Sequence, residues 1–586
     1  MKAASDNAEE NKTSAQGSAA EVYDARPWLK FYPEGTKPDL EPASYRNIGD
    51  IIRQASQENG SKTAFTTCLP NGTTGSLTFA EVDRMTDAFA AYLRHDMGLA
   101  KGDRVAIQSP NCLAYPIFLF GAAKAGCVIV NINPLYTVPE INHALDDSRA
   151  RLLLMIDMFA DKLPKVLPKS TVEQVLITSV ADFFPPLRKA LVKGVQKLKK
   201  MVPRNEVDSM PFTKAISQGE QYLKKGGSAE FDVSLDDLLA LQYTGGTTGR
   251  PKGAMLTHRN LVSNVGQSYA NLRRYLPENR TALTALPMYH IFAMGVSVIF
   301  YSVGGHNVLI PSPRPVSNLK AAFEKFDFTF FSGVNTLFAG LLNEEWFRQS
   351  PPKNLGITIG GGTAVQNAVA ERWQDVVKNP IVQAYGLTET SPGVTTNPLE
   401  RTKLGSIGIP YAGTYIRIVD DEGNPVPQGE PGELVVKGPQ VMKGYWERAE
   451  ATAESIRDGW FHTGDVAIMD EDGYFFIVDR KKDMVLVSGF NVYPNEIEEV
   501  IARHPGVLSV GVVGVPDPES GEAVRAYVVP KDDSVTEQSI RDFCRQSLTA
   551  YKVPKKVIFR EEIPMTPVGK VLRKDLRDEA LKESGN

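Results

Sequence analysis

Cysteine is scarce in this 586-residue chain. Cys68, Cys112, Cys127 and Cys544 are scattered without paired spacing, which excludes a disulfide framework and a cysteine-based zinc site. A strong charge of either sign is also missing, since the formal net charge is -4 and the isoelectric point is about 6.1. Nucleic-acid-binding domains are usually strongly basic. We therefore predict a protein of the reducing cytosol without a nucleic-acid partner.

The sequence lacks an apolar run clean enough to cross a membrane as a helix. The nearest approach, residues 282–310, is interrupted by Pro287 and by a glycine pair at 304–305, which favours a buried core segment. Residues 1–20 are polar and contain no apolar run. That composition predicts a disordered tail rather than a signal peptide or an anchor.

The pattern of apolar segments changes twice along the chain. From about residue 45 to 310, apolar runs alternate with helical patterns, as is typical of parallel α/β sheets. Short strand candidates joined by turn-forming residues at about 400–479 indicate an antiparallel, β-barrel-like unit. After residue 479, a helix candidate and alternating strands predict a small α+β domain. The predicted division is a large domain over 21–479 and a small one over 480–586.

One segment, residues 186–203, is both apolar and basic. Its leucines and valines recur at helical spacing and six Lys or Arg residues surround them. A solvated helix that covers the core is the commoner origin of such a pattern, and a helix that lies on an anionic membrane is the alternative. The sequence leaves both open.

The most distinctive segment is Tyr-Thr-Gly-Gly-Thr-Thr-Gly-Arg-Pro-Lys-Gly at residues 243–253. Its glycines let backbone N–H groups turn toward an anion, its threonines add hydroxyl donors, and Lys252 adds a positive charge. Arg250 and Pro251 precede that lysine, so the segment is not a Walker A loop. The composition predicts a phosphate-binding loop, and a flexible linker is the alternative.

Two clusters carry a carboxylate after a predicted strand or turn. Tyr385 to Thr390 follows an apolar strand, where α/β proteins usually bind ligands. In this cluster Glu389 suits Mg²⁺, an ion that commonly bridges a carboxylate and substrate phosphates. Phe461 to Asp465 offers a carboxylate of the kind that holds ribose hydroxyls. An ordinary turn acid is the alternative in each case.

Three other clusters are less specific when taken singly. Ile359 to Ala364 contains three consecutive glycines, which let the backbone approach a ligand closely. His290 stands among aromatic residues, where a core histidine is the commoner case. Lys570 follows a glycine in the C-terminal region and, taken alone, is a surface lysine.

The order of these clusters resembles that of the adenylate-forming acyl-CoA synthetases. YTGGTTGRPKG, PMYHIF, GGGTAV, YGLTET, GWFHTGD, DRKKDM, SGFNVYPNEIE and PMTPVGKVLR follow one another in the order expected of that superfamily. Within it the chain looks most similar to bacterial long-chain-fatty-acid CoA ligases, over about residues 45–583. The resemblance implies an α/β fold, with a large adenylation domain of two α/β sheet subdomains plus a β-barrel-like subdomain. It also implies a small, mobile α+β C-terminal domain.

The resemblance implies activation of a fatty acid by ATP to acyl-AMP and pyrophosphate, followed by thioesterification with CoA, a step that feeds fatty-acid degradation. Mg²⁺ would assist the first step. The implied catalytic residues are Lys570, Thr388, Glu389 and His290. The implied ATP- and AMP-binding residues are Thr244, Gly245, Gly246, Thr247, Thr248, Gly249, Lys252, Gly360, Gly361, Gly362, Tyr385, Gly386, Asp465 and Arg480. The implied metal ligands are Glu389 and Thr248.

The resemblance also assigns residues to the second step and to the acyl chain. Ser488, Gly489 and Phe490 would bind CoA. Asp479 and Lys482 are the two candidates for the pivot of the hinge at 479–482. Tyr289, Met294, Gly333 and Val334 would line the acyl pocket.

A plain carboxylic acid fits better than an amino acid, because amino-acid-activating relatives place an Asp near His290 and no acidic residue occurs from 281 to 307. Together with the basic segment at 186–203, this makes a long-chain acid drawn from the inner membrane surface the preferred substrate. Three alternatives stay open: an acyl-AMP ligase that loads a carrier protein, an aryl- or medium-chain acyl-CoA ligase, and a membrane-bound transport or scaffold protein without catalysis. We expect a cytoplasmic protein with peripheral contact to the inner face of the cell membrane through 186–203. A homodimer is left open.

Overall fold

Two sheets of mostly parallel strands form the body of the larger domain in the computed structural model, which describes residues 19–40, 45–244, 250–566 and 569–583. In one sheet the strand order is β7 (Met210–Pro211), β6 (Gln174–Thr178), β5 (Leu152–Ile156), β3 (Arg104–Gln108), β4 (Val128–Asn131), β8 (Leu238–Thr244) and β9 (Lys252–Thr257). In the other it is β16 (Ile409–Pro410), β15 (Gly393–Thr396), β14 (Ile381–Gly386), β13 (Ile357–Gly360), β12 (Phe330–Gly333), β10 (Thr281–Thr284), β11 (His306–Leu309), β1 (Thr63–Cys68) and β2 (Thr74–Thr78).

Helices separate most of these strands along the chain, as the sequence predicts. Every residue of β4 and β5 is buried, so both faces of the sheet are covered at these strands. The helices of the larger domain are α1 (including 19–25), α2 (Ile48–Asn59), α3 (Phe79–Ala91), α4 (Ala114–Ala125), α5 (Val138–Ser148), α6 (Leu163–Val166), α7 (Pro186–Leu198), α8 (Phe212–Lys224), α9 (His258–Leu272), α10 (Ile291–Ser302), α11 (Lys320–Lys325), α12 (Asn335–Asn343), α13 (Glu345–Gln349), α14 (Asn367–Val377) and α15 (Ala449–Ser455).

An antiparallel sheet completes the larger domain. Its strands are β17 (Tyr415–Val419), β18 (Gly432–Lys437), β20 (Trp460–Met469) and β19 (Ile456–Arg457), and β21 (Phe475–Arg480) pairs with β20. The unit predicted at about 400–479 therefore begins later than expected, because β16 pairs with β15 of the large sheet.

The small domain packs helices on a second antiparallel sheet. Its strand order is β23 (Phe490–Val492), β22 (Val485–Val487), β25 (Gly521–Pro530) and β24 (Val507–Asp517), and β26 (Lys556–Phe559) runs parallel to β25. Its helices are α16 (Pro494–Ala502), α17 (Glu537–Arg545) and α18 (Arg573–Glu583). The mixture of elements confirms the predicted α+β class of this domain.

The structure bears on two predictions about individual segments. Residues 19 and 20, placed in the tail by composition, belong to α1, and Ala19 is buried; residues 1–18 lie outside the described residues. The segment 282–310 forms β10, α10 and β11, as a core segment should. Within the described ranges no helix has both the length and the apolar character that a bilayer crossing requires.

The small domain is attached to the larger one by a buried charge cluster. Asp479, at the end of β21, is fully buried and accepts hydrogen bonds from the backbone of Asn495 at 2.8 Å and from Arg573 at 3.3 Å. Arg573 also pairs with Glu498 at 2.8 Å and with Asp483 at 3.5 Å. One arginine thus compensates carboxylates on the hinge, on the turn after it and on α16.

We predict that Arg573→Met destabilises the small domain by about 3–5 kcal/mol, because it leaves buried carboxylates without a compensating charge. Arg503→Met is the matched control: this arginine pairs with Glu499 one helical turn away and is exposed, so about 0.5 kcal/mol or less is expected. Urea unfolding followed by circular dichroism measures both. Equal losses in the two variants would show that the cluster is not stabilising the domain junction.

Candidate active site

One cavity of about 720 Å³ lies at the junction of the two domains. Its wall combines the ends of β8 and β14, one face each of α9 and α10, and two residues of the small domain, Thr566 and Lys570. We call it the central cavity. Of the residues predicted to bind ATP or AMP or to act in catalysis, it brings together Thr244, Lys252, His290, Gly361, Gly362, Tyr385, Gly386, Thr388, Glu389, Arg480 and Lys570.

The segment predicted to bind phosphate lies between two strands that pair with each other. Strands β8 and β9 pair antiparallel, with Thr244 opposite Lys252, so both residues emerge at the same end of the sheet. Gly245, Gly246, Thr247, Thr248 and Gly249, and with them the predicted metal ligand Thr248, lie outside the described residues. The ammonium of Lys252 lies 5.2 Å from the centre of the Tyr445 ring, a cation–π distance.

Tyr445 is the residue that sequence reasoning missed at this end of the cavity. Its hydroxyl donates to Oε1 of Glu389 at 2.8 Å, and burial together with that carboxylate raises its pKa, so the phenol stays protonated. The backbone N–H of Met442 donates to the Glu389 carbonyl at 2.7 Å. The segment KGPQVMKGYW contains Tyr445 and matches the family, which was the available signal.

Glu389 is oriented before any ligand arrives. Within the described residues no group of three or more His, Cys, Asp or Glu side chains is placed to hold a metal ion. A single carboxylate of this kind suits Mg²⁺ bound mainly through substrate phosphates and water. The donor set therefore fits the predicted metal.

The predicted nucleoside residues form a hydrogen-bonded group. Asp465 accepts from the Tyr385 hydroxyl at 2.6 Å and from Arg480 at 2.8 Å. Asp465 is 3% exposed and lies behind the cavity wall, whereas Tyr385 and Arg480 line it. Gly386 is required sterically, since a Cβ there would come within 1.9 Å of the Pro392 carbonyl oxygen. Gly360 faces Val365 and Ile381 in the core and does not line the cavity.

His290 is the N-cap of α10. Its Nδ1 accepts from the backbone N–H of Phe292 at 3.4 Å, which leaves Nε2 to carry the proton. Burial lowers the pKa of His290 to about 4. His290 therefore presents a neutral imidazole to a ligand in the cavity.

Lys570 of the small domain directly follows a glycine that contacts the larger domain. The N–H of Gly569 donates to the Thr566 carbonyl at 2.8 Å, and a Cβ at position 569 would approach Thr336 Oγ1 to 2.5 Å. Gly569 is therefore packed closely against the larger domain. Burial, and then the positive charge of Arg480, lowers the pKa of Lys570 to about 8.

The apolar branch of the cavity runs between two helices. Phe292, Val296, Ile299 and Phe300 lie on one face of α10, and Asn264, Ser268 and Leu272 lie on one face of α9. Phe330 closes on Phe300 with ring centroids 4.5 Å apart. Since α10 begins at His290, its lining face leads away from the polar end for about 12 Å, at about 1.5 Å per residue from Phe292 to Phe300.

This branch corrects the predicted acyl pocket. Tyr289 lines the central cavity, but Met294, Gly333 and Val334 are not among the described residues that line it. Met294 belongs to the buried core behind α10, and Gly333 faces the Phe338 ring. Val334 packs in a separate core cluster. The helical faces decide which side chains of this region point into the cavity.

The predicted CoA residues are away from the cavity in this arrangement. Ser488, Gly489 and Phe490 form the turn and the start of the β22–β23 hairpin, and Phe490 is 56% exposed and stacks on Tyr551. Of the two hinge candidates, Asp479 is buried, whereas Lys482 lines the cavity with a pKa lowered by burial.

The chain belongs to the AMP-binding enzyme family. The family model for the AMP-binding enzyme matches residues 52–446, and the model for its C-terminal domain matches residues 496–570. The family and the fold class predicted from the motifs are thereby confirmed.

Among relatives, the chain is 47% identical to a long-chain-fatty-acid–CoA ligase of Escherichia coli O6:H1, covering 94% of this chain and 98% of the relative. It is 43% identical to the protein of that name from Haemophilus influenzae, with 94% and 98% covered. Among solved structures it resembles the anthranilate CoA ligase AuaEII in complex with anthranoyl-AMP, with a TM-score of 0.82 and 25% identity over 94% of this chain and 100% of that one.

The position of Lys570 predicts a pH dependence. As the pH rises through about 8 the ammonium of the free enzyme loses its proton, so kcat/KM of adenylation for ATP should fall by about tenfold per pH unit above that point. Lys570→Arg should be slower but flat there, because a guanidinium stays protonated. Pyrophosphate exchange between pH 6.5 and 10 measures this. A descending limb that persists unchanged in Lys570→Arg would assign it to another group.

Proposed function

We propose that this chain is a long-chain-fatty-acid–CoA ligase that uses ATP and CoA. The observation that carries the proposal is the central cavity itself. Lys252, Glu389 and Tyr445 of the larger domain and Lys570 of the small domain meet at its polar end, and an apolar branch leads away from that end. The names of the relatives at 43–47% identity support the same substrate class.

In the first half-reaction, a fatty-acid carboxylate oxygen attacks the α-phosphorus of ATP and the bond to the β,γ-pyrophosphate breaks. The hairpin end with Thr244 and Lys252 would hold that pyrophosphate, and Thr388 would contact the α-phosphate. Lys570 would neutralise the charge that develops between the carboxylate and the phosphate. Glu389 would hold Mg²⁺, which neutralises phosphate charge when it is bound.

In the second half-reaction, the sulfur of CoA forms a bond to the acyl carbon and AMP leaves. Lys570 occupies the junction in the arrangement described, and Ser488, Gly489 and Phe490 lie outside the cavity. The thiol therefore requires the small domain to rotate about the segment 479–482. That motion would withdraw Lys570 and bring the hairpin turn to the cavity.

The apolar branch favours a hydrocarbon chain over a hydroxylated aromatic acid. Asn264 is satisfied by the backbone of Gly393, to which it donates at 2.9 Å and from which it accepts at 3.1 Å. Polar groups that are already hydrogen-bonded offer little to a substrate hydroxyl, whereas each buried CH₂ contributes about 0.8 kcal/mol.

The activity test compares acids of six to eighteen carbons and a cinnamate-type acid, with either CoA or an acyl carrier protein as acceptor. We expect the highest kcat/KM with long chains and CoA. Phe300→Ala should move the optimum to longer acids by opening the end of the branch, and Phe323→Ala, outside the cavity lining, is the control. A short-chain or aromatic optimum, or turnover with the carrier protein alone, would contradict the proposal.

We also propose that α7 contacts the anionic inner face of the cell membrane. The sequence left open whether this helix covers the core or lies on an anionic membrane. The positions of its apolar side chains support the membrane alternative. Leu187, Leu191 and Leu198 are 84%, 61% and 83% exposed, and the neighbouring Lys197 and Lys199 are exposed too. A basic helix with its apolar face outward suits the interface of an anionic bilayer. The homodimer stays a prediction.

Vesicle co-sedimentation tests this contact. We expect binding to vesicles with anionic phospholipid, weaker binding to pure phosphatidylcholine, and a loss of at least about tenfold in the partition coefficient for Leu187→Ser/Leu191→Ser/Leu198→Ser. Leu404→Ser/Leu508→Ser, which changes exposed leucines elsewhere, is the control. Equal binding of both variants would remove α7 from the contact.

A further inference from the structure

Asp147, near the end of α5, ties together two parts of the polar end without lining the cavity. Its Oδ2 accepts from the Tyr243 hydroxyl at 2.8 Å and its Oδ1 accepts from Arg448 at 2.5 Å. Its backbone carbonyl accepts from Nε1 of Trp446 at 3.1 Å. The carboxylate is 10% exposed, so these interactions are only weakly screened by solvent.

The partners of Asp147 flank the groups that face the triphosphate. Tyr243 lies next to Thr244 at the end of β8. Trp446 and Arg448 follow Tyr445, whose hydroxyl bonds Glu389 and whose ring lies beside Lys252. The two parts also meet through the backbone, where the Trp446 N–H donates to the Gly253 carbonyl at 2.8 Å.

Backbone bonds fix this segment to β9, and the Arg448 N–H donates to the Tyr445 carbonyl at 3.2 Å. None of these bonds reaches β8. Asp147 adds a side-chain link from Arg448 to Tyr243, at the end of the strand that leads into the predicted phosphate-binding loop. The parallel tie between Arg149 and Glu447, at 2.7 Å, joins the same two regions but is 55% and 42% exposed. An exposed pair of this kind adds little.

We propose that Asp147 is a positioning residue for the ATP-binding end, which holds Tyr445 against Glu389 and Lys252. The proposal rests on the proposed function as far as ATP is concerned. It adds that a carboxylate outside the cavity sets the geometry of the metal-holding and phosphate-holding side chains. No chemical step is assigned to Asp147.

The experiment measures Asp147→Asn by calorimetric titration with Mg²⁺ and α,β-methylene-ATP, which binds without reaction. We expect a Kd at least about tenfold weaker, the equivalent of about 1.4 kcal/mol. Thioester formation from preformed acyl-AMP and CoA, which needs no triphosphate, should stay within about twofold. Arg149→Ala is the matched control and should leave both quantities within about twofold.

A double-mutant cycle with Tyr445→Phe tests the route of the effect. If Asp147 acts through Tyr445, the double variant should bind the nucleotide about as weakly as the weaker single variant, since the two changes disable one unit. Should Asp147→Asn fold poorly, Arg448→Gln breaks the same tie from a partly exposed partner and should show the same nucleotide-specific loss.

Additive effects in the cycle, or equal losses in nucleotide binding and in thioester formation, would overturn the positioning role. The nucleotide Kd does not depend on which acid the enzyme prefers. A failure of the fatty-acid assignment would therefore appear in the chain-length profile. The ratio of the nucleotide Kd of Asp147→Asn to that of the unchanged chain would still test the positioning role.

Discussion

The ammonium of Lys570 must reach the interior of the larger domain while its backbone belongs to the small domain. This constraint explains why the junction is built as it is. Gly569, directly before Lys570, lies against Thr336 with no room for a Cβ, and Asp479 is hydrogen-bonded to Arg573 and Asn495. A mobile domain that carries a catalytic charge needs a close fit in each position and a compact pivot between them.

The polar end of the cavity is organised by tyrosines as much as by charges. Tyr445 holds Glu389 and Tyr385 holds Asp465, each by a hydroxyl that burial keeps protonated. Carboxylates that are hydrogen-bonded in advance need little reorganisation when a highly charged substrate enters. In the apolar branch, the Asn264 amide is likewise hydrogen-bonded to the backbone of Gly393 before a ligand enters.

The sequence predicted most of the polar end, because glycine-rich loops and isolated carboxylates are local signals. Thr244, Lys252, Glu389 and Lys570 needed only their motifs. Tyr445 was not predicted, since a tyrosine in a strand-like segment is usually core. Met294 and Val334 do not line the central cavity, since a motif gives only the region of a wall, whereas the rotation of α10 and the packing beside β12 decide which side chains face in. The outward direction of the α7 leucines depends on tertiary packing and has no sequence signal.

The docking of the turn that carries Lys570 has a consequence for the lifetime of the intermediate. An acyl phosphate anhydride is easily hydrolysed, and Thr566 and Lys570 form part of the wall where it would arise. Under the proposed mechanism, the small domain in this position would keep bulk water from one side of the anhydride. The proposed rotation that admits the thiol would also end this protection. The delay between the loss of pyrophosphate and the arrival of CoA thus sets how much activated acid is wasted.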